Sequence, residues 1–177
     1  MYNIFAGLAF MHGMGWMHRD IKPANVGLNR EPLGAVILDL GCSKQGGNSR
    51  SHGVGTIQFF APEILHLRDV EAKYPMKASG ILAFTYKVDI FSAALCCAEL
   101  LFEEHKQSIE DQLLSEGITE EGLRQLTSGL NDKKNKTKGA FSGVYGLLIS
   151  AQSHNANERP NAGEIEAALS SIMAKLA

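Results

Sequence analysis

Residues 18–25 read "HRDIKPAN" and place a carboxylate (Asp20), an ammonium (Lys22) and an amide (Asn25) on one short stretch. Together they suit the transfer of a phosphoryl group from a nucleotide. That reaction asks a protein for positioning and charge neutralisation rather than covalent chemistry. A carboxylate orients the attacking hydroxyl and takes its proton, a cation sits beside the moving group, and oxygen ligands hold Mg²⁺. Asp20, Lys22 and Asn25 supply one group of each kind. A further acid for the metal stands in "LDLG", where Asp39 ends a strand-like run and Gly41 leaves the backbone free to turn after it. An Asp-x-Lys pair on its own is ordinary solvated surface, so the surrounding elements decide its meaning.

Those elements predict a mainly α fold with a short β-hairpin region. Ile4, Phe5, Leu8, Ala9 and Met11 repeat at helical spacing over residues 2–13. The catalytic-looking stretch, 14–25, follows as a loop. Two strands, Val26 to Leu28 and Ala35 to Leu38, are joined by the turn-rich "NREPLG". The stretch "GCSKQGGNSRSHGVG" shows no periodicity, and "GVGTIQ" lacks both the third glycine and the preceding strand of a nucleotide-cradling loop. Residues 87–102 are apolar nearly all round, which predicts a helix in the middle of the core. Phe141, Val144, Tyr145, Leu148 and Ala151 make one face of another helix. In the last helix Asn161 and Glu164 have capping-box spacing, and Ile165, Leu169, Ile172 and Leu176 supply the stripe.

The chain of 177 residues is long enough for one domain with a sizeable core. A net charge of -2 gives no sign of nucleic-acid binding, and the one basic run, Asn131 to Gly139, reads as a solvated loop. Three cysteines, Cys42, Cys96 and Cys97, fit a reducing compartment better than a disulfide framework, and the adjacent pair reads as buried thiols. The N-terminal apolar run has neither a basic flank nor a cleavage-type end, and no run is long enough to span a bilayer. An intracellular protein, cytoplasmic or nuclear, with no membrane partner is the expectation.

"HRDIKPAN", then "DLG" (Asp39 to Gly41), then "GTIQFFAPE" (Gly55 to Glu63), in that order and at those separations, resemble the protein kinases. "KVDIFSAA" (Lys87 to Ala94) and "NERP" (Asn157 to Pro160) are similar to later motifs of that family, so the resemblance covers essentially the whole chain. It implies that Asp20 is the catalytic base and that Lys22 steadies the transferred phosphate, with lysine there typical of the serine/threonine branch. It implies that Asn25 and Asp39 bind Mg²⁺ and ATP, and that Thr56 shapes the platform for a protein substrate while contacting Asp20 or Lys22. Asp89 would bond the backbone of the catalytic loop, and Glu63 would pair with Arg159. His18 reads as a packed structural histidine. The resemblance also implies that Arg19 receives a phosphate from the activation segment, with Ser49 and Ser51 the candidate phosphosites. Leu40 and Ala94 depart from the usual phenylalanine and glycine, and residues 64–86 run long, which suggests a surface insertion.

The resemblance also implies parts that this sequence does not display: a glycine-rich loop and a strand lysine paired with a helix glutamate. Residues 1–177 are therefore expected to be the C-terminal, larger lobe, without the N-terminal lobe. The isolated chain is expected to bind Mg·ATP weakly, to transfer little phosphate, and to expose apolar surface where that lobe or another covering partner sits. A non-catalytic kinase-like interaction module is the alternative. Small-molecule kinases share the opening loop but lack the platform of "GTIQFFAPE" and Arg159.

Overall fold

A computed structural model of the chain describes residues 1–51, 53–74, 83–101 and 119–176. Six α-helices lie among the described residues: α1 (Tyr2–Gly13), α2 (Pro62–Lys73), α3 (Lys87–Leu101), α4 (Glu120–Lys136), α5 (Ala140–Ala151) and α6 (Ala162–Ala174). The strands are short and pair in twos, all antiparallel. β1 (Trp16–Met17) pairs with β4 (Lys44–Gln45), β2 (Val26–Arg30) with β3 (Leu33–Ile37), and β5 (Asn48–Ser49) with β6 (Phe84–Thr85).

Helix α3 is the axis of the core. Its residues from Val88 to Ala98 are buried on every face, as an all-round apolar sequence requires. Each fully buried Ile, Leu or Phe contributes about 1.5–3 kcal/mol by leaving water. Around α3 pack α1, through Ile4, Phe5 and Leu8, and α5, through Leu148 and Ala151. Cys96 and Cys97 are buried, and burial drives the Cys96 thiol pKa upward and that of Cys97 to about 11, so both are inert thiols. Helix α6 starts on the expected capping box: Asn161 Oδ1 accepts the Glu164 N–H at 2.9 Å, and Glu164 Oε2 accepts the Asn161 N–H at 2.7 Å. It packs against α1 and α5.

Several expectations need correcting. The β2–β3 hairpin is longer than expected: Arg30 pairs with Leu33, and only Glu31 and Pro32 form the turn. Asn131 to Lys136 are not loop but the last turns of α4, whose buried stripe is Leu123, Leu126 and Leu130. Lys133, Lys134 and Lys136 lie at its C-terminal end, where the helix dipole favours cations. Phe141 is 60 % exposed and Leu176 57 % exposed, so neither belongs to the buried face assigned to it. The start of the long 64–86 segment is the body of α2, with Ile64 and Leu67 buried, while residues 75–82 lie outside the described residues, as does Phe102. The aperiodic stretch after Asp39 holds β4 and β5.

Candidate active site

Asp20 lies at the centre of a closed set of hydrogen bonds. Its Oδ1 accepts the Thr56 hydroxyl at 2.7 Å, and its Oδ2 lies 3.0 Å from Lys22 Nζ and accepts the Asn25 amide at 3.0 Å. Lys22 Nζ also donates to Thr56 Oγ1 at 2.7 Å, and Asn25 Nδ2 also donates to the Asp20 carbonyl at 2.8 Å. Thus Lys22, Thr56 and Asn25, from the loop and from a segment over thirty positions away, converge on one carboxylate. Burial raises the Asp20 pKa, but the Thr56, Lys22 and Asn25 bonds and the Lys22 charge outweigh it and hold the group below the ordinary carboxylate range.

The loop is held from beneath by Asp89 of α3. Asp89 Oδ1 accepts the Arg19 N–H at 2.7 Å, and Oδ2 accepts the His18 N–H at 2.8 Å. Arg19 has φ 69°, the left-handed region that non-glycine residues seldom occupy, so the two charge-assisted bonds hold a strained turn in place. His12 of α1 closes the arrangement, its Nε2 lying 2.9 Å from Asp89 Oδ2. Sequence reasoning missed His12, which reads only as the tail of a core helix. His18 is fully buried. Its Nδ1 accepts the Asp20 N–H at 3.2 Å, so its Nε2 carries the proton and donates to the Leu38 carbonyl at 3.0 Å.

That bond ties the loop to the segment bearing Asp39, and Leu38 N–H returns the tie to the Asn25 carbonyl at 2.9 Å. Asp39 itself is exposed and adopts φ 59°. The sharp turn therefore falls on Asp39 and not on Gly41. Gly41 meets a different demand: its N–H donates to Asp39 Oδ1 at 3.0 Å, and a Cβ there would lie 3.0 Å from the same oxygen. Among the described residues no three His, Cys, Asp or Glu side chains converge into a metal cage. Asn25 turns its amide nitrogen to Asp20, which leaves its oxygen facing away. An amide oxygen and a carboxylate are hard-oxygen ligands of the kind Mg²⁺ takes alongside phosphates and water.

Gly55 explains how Thr56 reaches Asp20. It has φ +99°, and a Cβ would lie 2.4 Å from the Arg19 carbonyl and 2.9 Å from Phe60. Only glycine lets the segment pass this close to the loop. Beyond Thr56, the Ser92 hydroxyl of α3 donates to the Phe59 carbonyl at 2.7 Å. Glu63 then meets Arg159 in a two-pronged pair of 2.7 and 2.8 Å. The remaining Arg159 donors go to the Ser153, Lys87 and His154 carbonyls, so all five are used, and the guanidinium lies 4.9 Å from the Phe91 ring centre. Lys87 returns a hydrogen bond to the Arg159 carbonyl, and burial lowers its pKa.

Arg19 reaches the other way. Its Nε donates to the Cys42 carbonyl at 2.7 Å, and one terminal nitrogen lies 3.5 Å from Ser49 Oγ and 3.1 Å from the Ser51 carbonyl. Lys44 Nζ and the Ser51 N–H also donate to Ser49 Oγ, each at 3.1 Å. Ser49 is buried in this cationic nest while Ser51 is exposed. Lys44 was not singled out by sequence, because an isolated lysine in an aperiodic stretch carries no local signal.

A family model described as the protein kinase domain matches residues 1–169. The chain belongs to the protein kinase family. Among curated kinases, the interferon-induced, double-stranded RNA-activated protein kinase of Rattus norvegicus is 31% identical over 169 residues, covering 92% of this chain and 27% of that protein. The serine/threonine-protein kinase mos of Gallus gallus is 34% identical over 128 residues, 69% of this chain and 32% of the relative. The putative mitogen-activated protein kinase 14C of Drosophila melanogaster is 33% identical over 101 residues, 57% and 24% respectively. The chain thus spans about a quarter to a third of the length of the curated relatives it matches. No helix among the described residues of this kinase chain is long and apolar enough to cross a membrane.

Proposed function

We propose that residues 1–177 form the C-terminal, helical lobe of a serine/threonine protein kinase, which transfers the ATP γ-phosphate to hydroxyls of a protein substrate. The observation that carries this reading is the convergence of Thr56, Lys22 and Asn25 on Asp20 above a loop pinned by Asp89.

In this reading Asp20 orients the substrate hydroxyl and accepts its proton. The Thr56 hydroxyl already bonds Asp20 Oδ1 at 2.7 Å, which shows that this oxygen is within reach of a hydroxyl donor. Lys22 lies beside the same carboxylate and supplies positive charge where a phosphoryl group passes. Asn25 and Asp39 are the residues that would hold Mg²⁺, which when bound neutralises phosphate charge. Glu63, Arg159 and Asp89 hold the platform and the loop.

The apolar face supports a covering lobe. Phe10, Met14, Leu28, Leu33 and Leu40 are each more than half exposed, on and around the hairpin and the Asp39 segment. Phe10, Met14 and Leu40, with Trp16, line one apolar hollow, and a contiguous exposed apolar patch marks an interaction surface. The isolated chain is accordingly expected to bind Mg·ATP weakly and to turn over little.

Transfer of labelled phosphate from ATP to serine, threonine and tyrosine peptides, by a protein carrying this chain together with a glycine-rich lobe, tests the reading. Asp20→Asn is expected to lower turnover about 10²–10⁴-fold, the usual contribution of a positioned base. Retained turnover in that variant, or a preference for tyrosine, would defeat the proposal. Arg19, Lys44 and the Ser51 N–H around Ser49 also support a phosphate on Ser49 or the neighbouring Ser51. Mapping that finds both serines unmodified in active protein removes that part.

A further inference from the structure

The end of the α4–α5 pair carries charge out of proportion to the rest of the chain. Residues 131–141 hold Lys133, Lys134, Lys136 and Lys138 against the single acid Asp132. Their net charge is +3 in a chain of net -2, so the remaining residues carry -5. Three of the lysines lie in the last turns of α4, and Lys138 follows in the connection to α5. Lys136 and Lys138 are exposed, and the Lys134 stem lies along α5 beside Gly146. The helix dipole accounts for lysines at this end of α4 but not for what stands next to them.

Phe141, three residues after Lys138, is the second observation. It precedes Leu148 by seven positions, close to two full turns, and so lies on the same side of α5. Leu148 is fully buried, whereas Phe141 is 60 % exposed. The apolar face of α5 therefore runs on past the edge of the core and ends in a bare aromatic ring beside lysines. Phe141 lines neither the groove between α4 and α5 nor the apolar hollow beside Met14.

Lysines and a bare ring together ask for a partner that is negative at its surface and apolar just beneath. A leaflet rich in anionic lipid is both. Lysine ammoniums stay among the headgroups while their stems lie along the interface. The acyl layer closes round a lone ring without needing a shaped groove, and charge plus an apolar anchor supply the two signals that reversible membrane binding requires. Single-strand nucleic-acid binding uses successive rings, and here one exposed ring stands alone among the lysines. We propose that the α4–α5 tip docks peripherally on membranes that carry anionic phospholipid, with Lys136 and Lys138 on the headgroups and Phe141 inserted between them. The bilayer is touched and not crossed. This reverses the expectation of no membrane partner. It stands apart from the phosphoryl-transfer reading, because no residue of the candidate active site takes part.

The test is co-sedimentation of the chain with vesicles of phosphatidylcholine containing about 30 % phosphatidylserine, against vesicles of phosphatidylcholine alone. The chain is expected to pellet with the anionic vesicles and at least about tenfold more weakly with the neutral ones. Raising NaCl from about 0.1 to about 0.5 M is expected to release most of it, because screening shortens the reach of the lysines. Each lysine near an anionic leaflet is worth about fivefold in binding, so Lys136→Gln combined with Lys138→Gln is expected to bind about 25-fold more weakly. Phe141→Ser is expected to weaken binding about fivefold or more, through loss of the buried ring. All three positions are exposed, so these variants keep the fold. Equal pelleting with neutral vesicles overturns the proposal, as does undiminished binding by the double lysine variant or by Phe141→Ser. So does tighter binding to oligouridylate or to polyglutamate than to the anionic vesicles, which would assign the patch to a nucleic acid or an acidic protein.

Discussion

Asp89 Oδ1 accepts the backbone N–H of Arg19 at 2.7 Å, from a residue held at φ 69°. A buried helix thereby fixes the shape of the loop one residue before the carboxylate of Asp20. Asp89→Asn replaces one acceptor oxygen by an N–H₂ that opposes a backbone N–H. Hydrogen bonds to charged groups contribute about 1.5–3 kcal/mol, so urea unfolding is expected to show a loss of that size. An unchanged midpoint would mean the loop keeps its shape without this anchor.

Gly55→Ala tests the close passage between the Thr56 segment and the loop. The new methyl would lie 2.4 Å from the Arg19 carbonyl, a backbone atom that cannot swing aside, at a residue with φ +99°. Strain of this kind costs on the order of 1–3 kcal/mol. Thr56 should be displaced from Asp20, and the expected readout is a lowered melting temperature together with a changed Asp20 carboxyl signal by NMR. A variant that leaves both unaltered refutes the steric account.

The depressed pKa of Asp20 sets the direction of one pH effect. A carboxyl whose folded value lies below its unfolded value, about 3.9, gives stability that is fully present above that pH. The contribution disappears as pH falls through the folded value. Thr56→Val removes one of the bonds responsible. The Asp20 titration midpoint should therefore move upward, as followed by carboxyl carbon NMR, and acid unfolding should begin at higher pH. A midpoint that stays put, or falls, contradicts the assignment of Thr56 as a cause.

Arg159→Met strips Glu63 of its partner and three carbonyls of their donor. Breaking a buried pair costs about 3–5 kcal/mol, and the low end is expected here because the Glu63 side chain keeps 26% of its exposure. Arg159→Lys should recover only a small part, because three donors on a flexible stem do not reproduce a planar fork. Chemical denaturation of both variants measures the difference. Full recovery by lysine would show that charge alone, rather than the fork, holds α2 to the region before α6.

Sequence spacing made the cluster of Asp20, Lys22 and Asn25 legible because the three lie within one turn-sized stretch, where local order dictates proximity. The apolar blocks of α1, α3 and α6 were equally legible, since burial leaves a periodic or continuous trace. What escaped depends on contacts made at a distance. β4 and β5 are two residues each and exist only through their pairing with Trp16–Met17 and Phe84–Thr85. His12 gains its role from Asp89, seventy-seven positions on, and Lys44 from Ser49 in the fold. The end of α4 hid because lysine and asparagine serve a solvated helix as well as a loop.

Asp89 and Ser92 stand three residues apart on α3, hence on one side of it. The first grips the 18–25 loop and the second the turn after Thr56. The two halves of the candidate site therefore share a single spindle and cannot drift independently. A substitution that reseats this helix, even at Cys96 or Cys97 further along its length, would carry both halves with it in one concerted displacement.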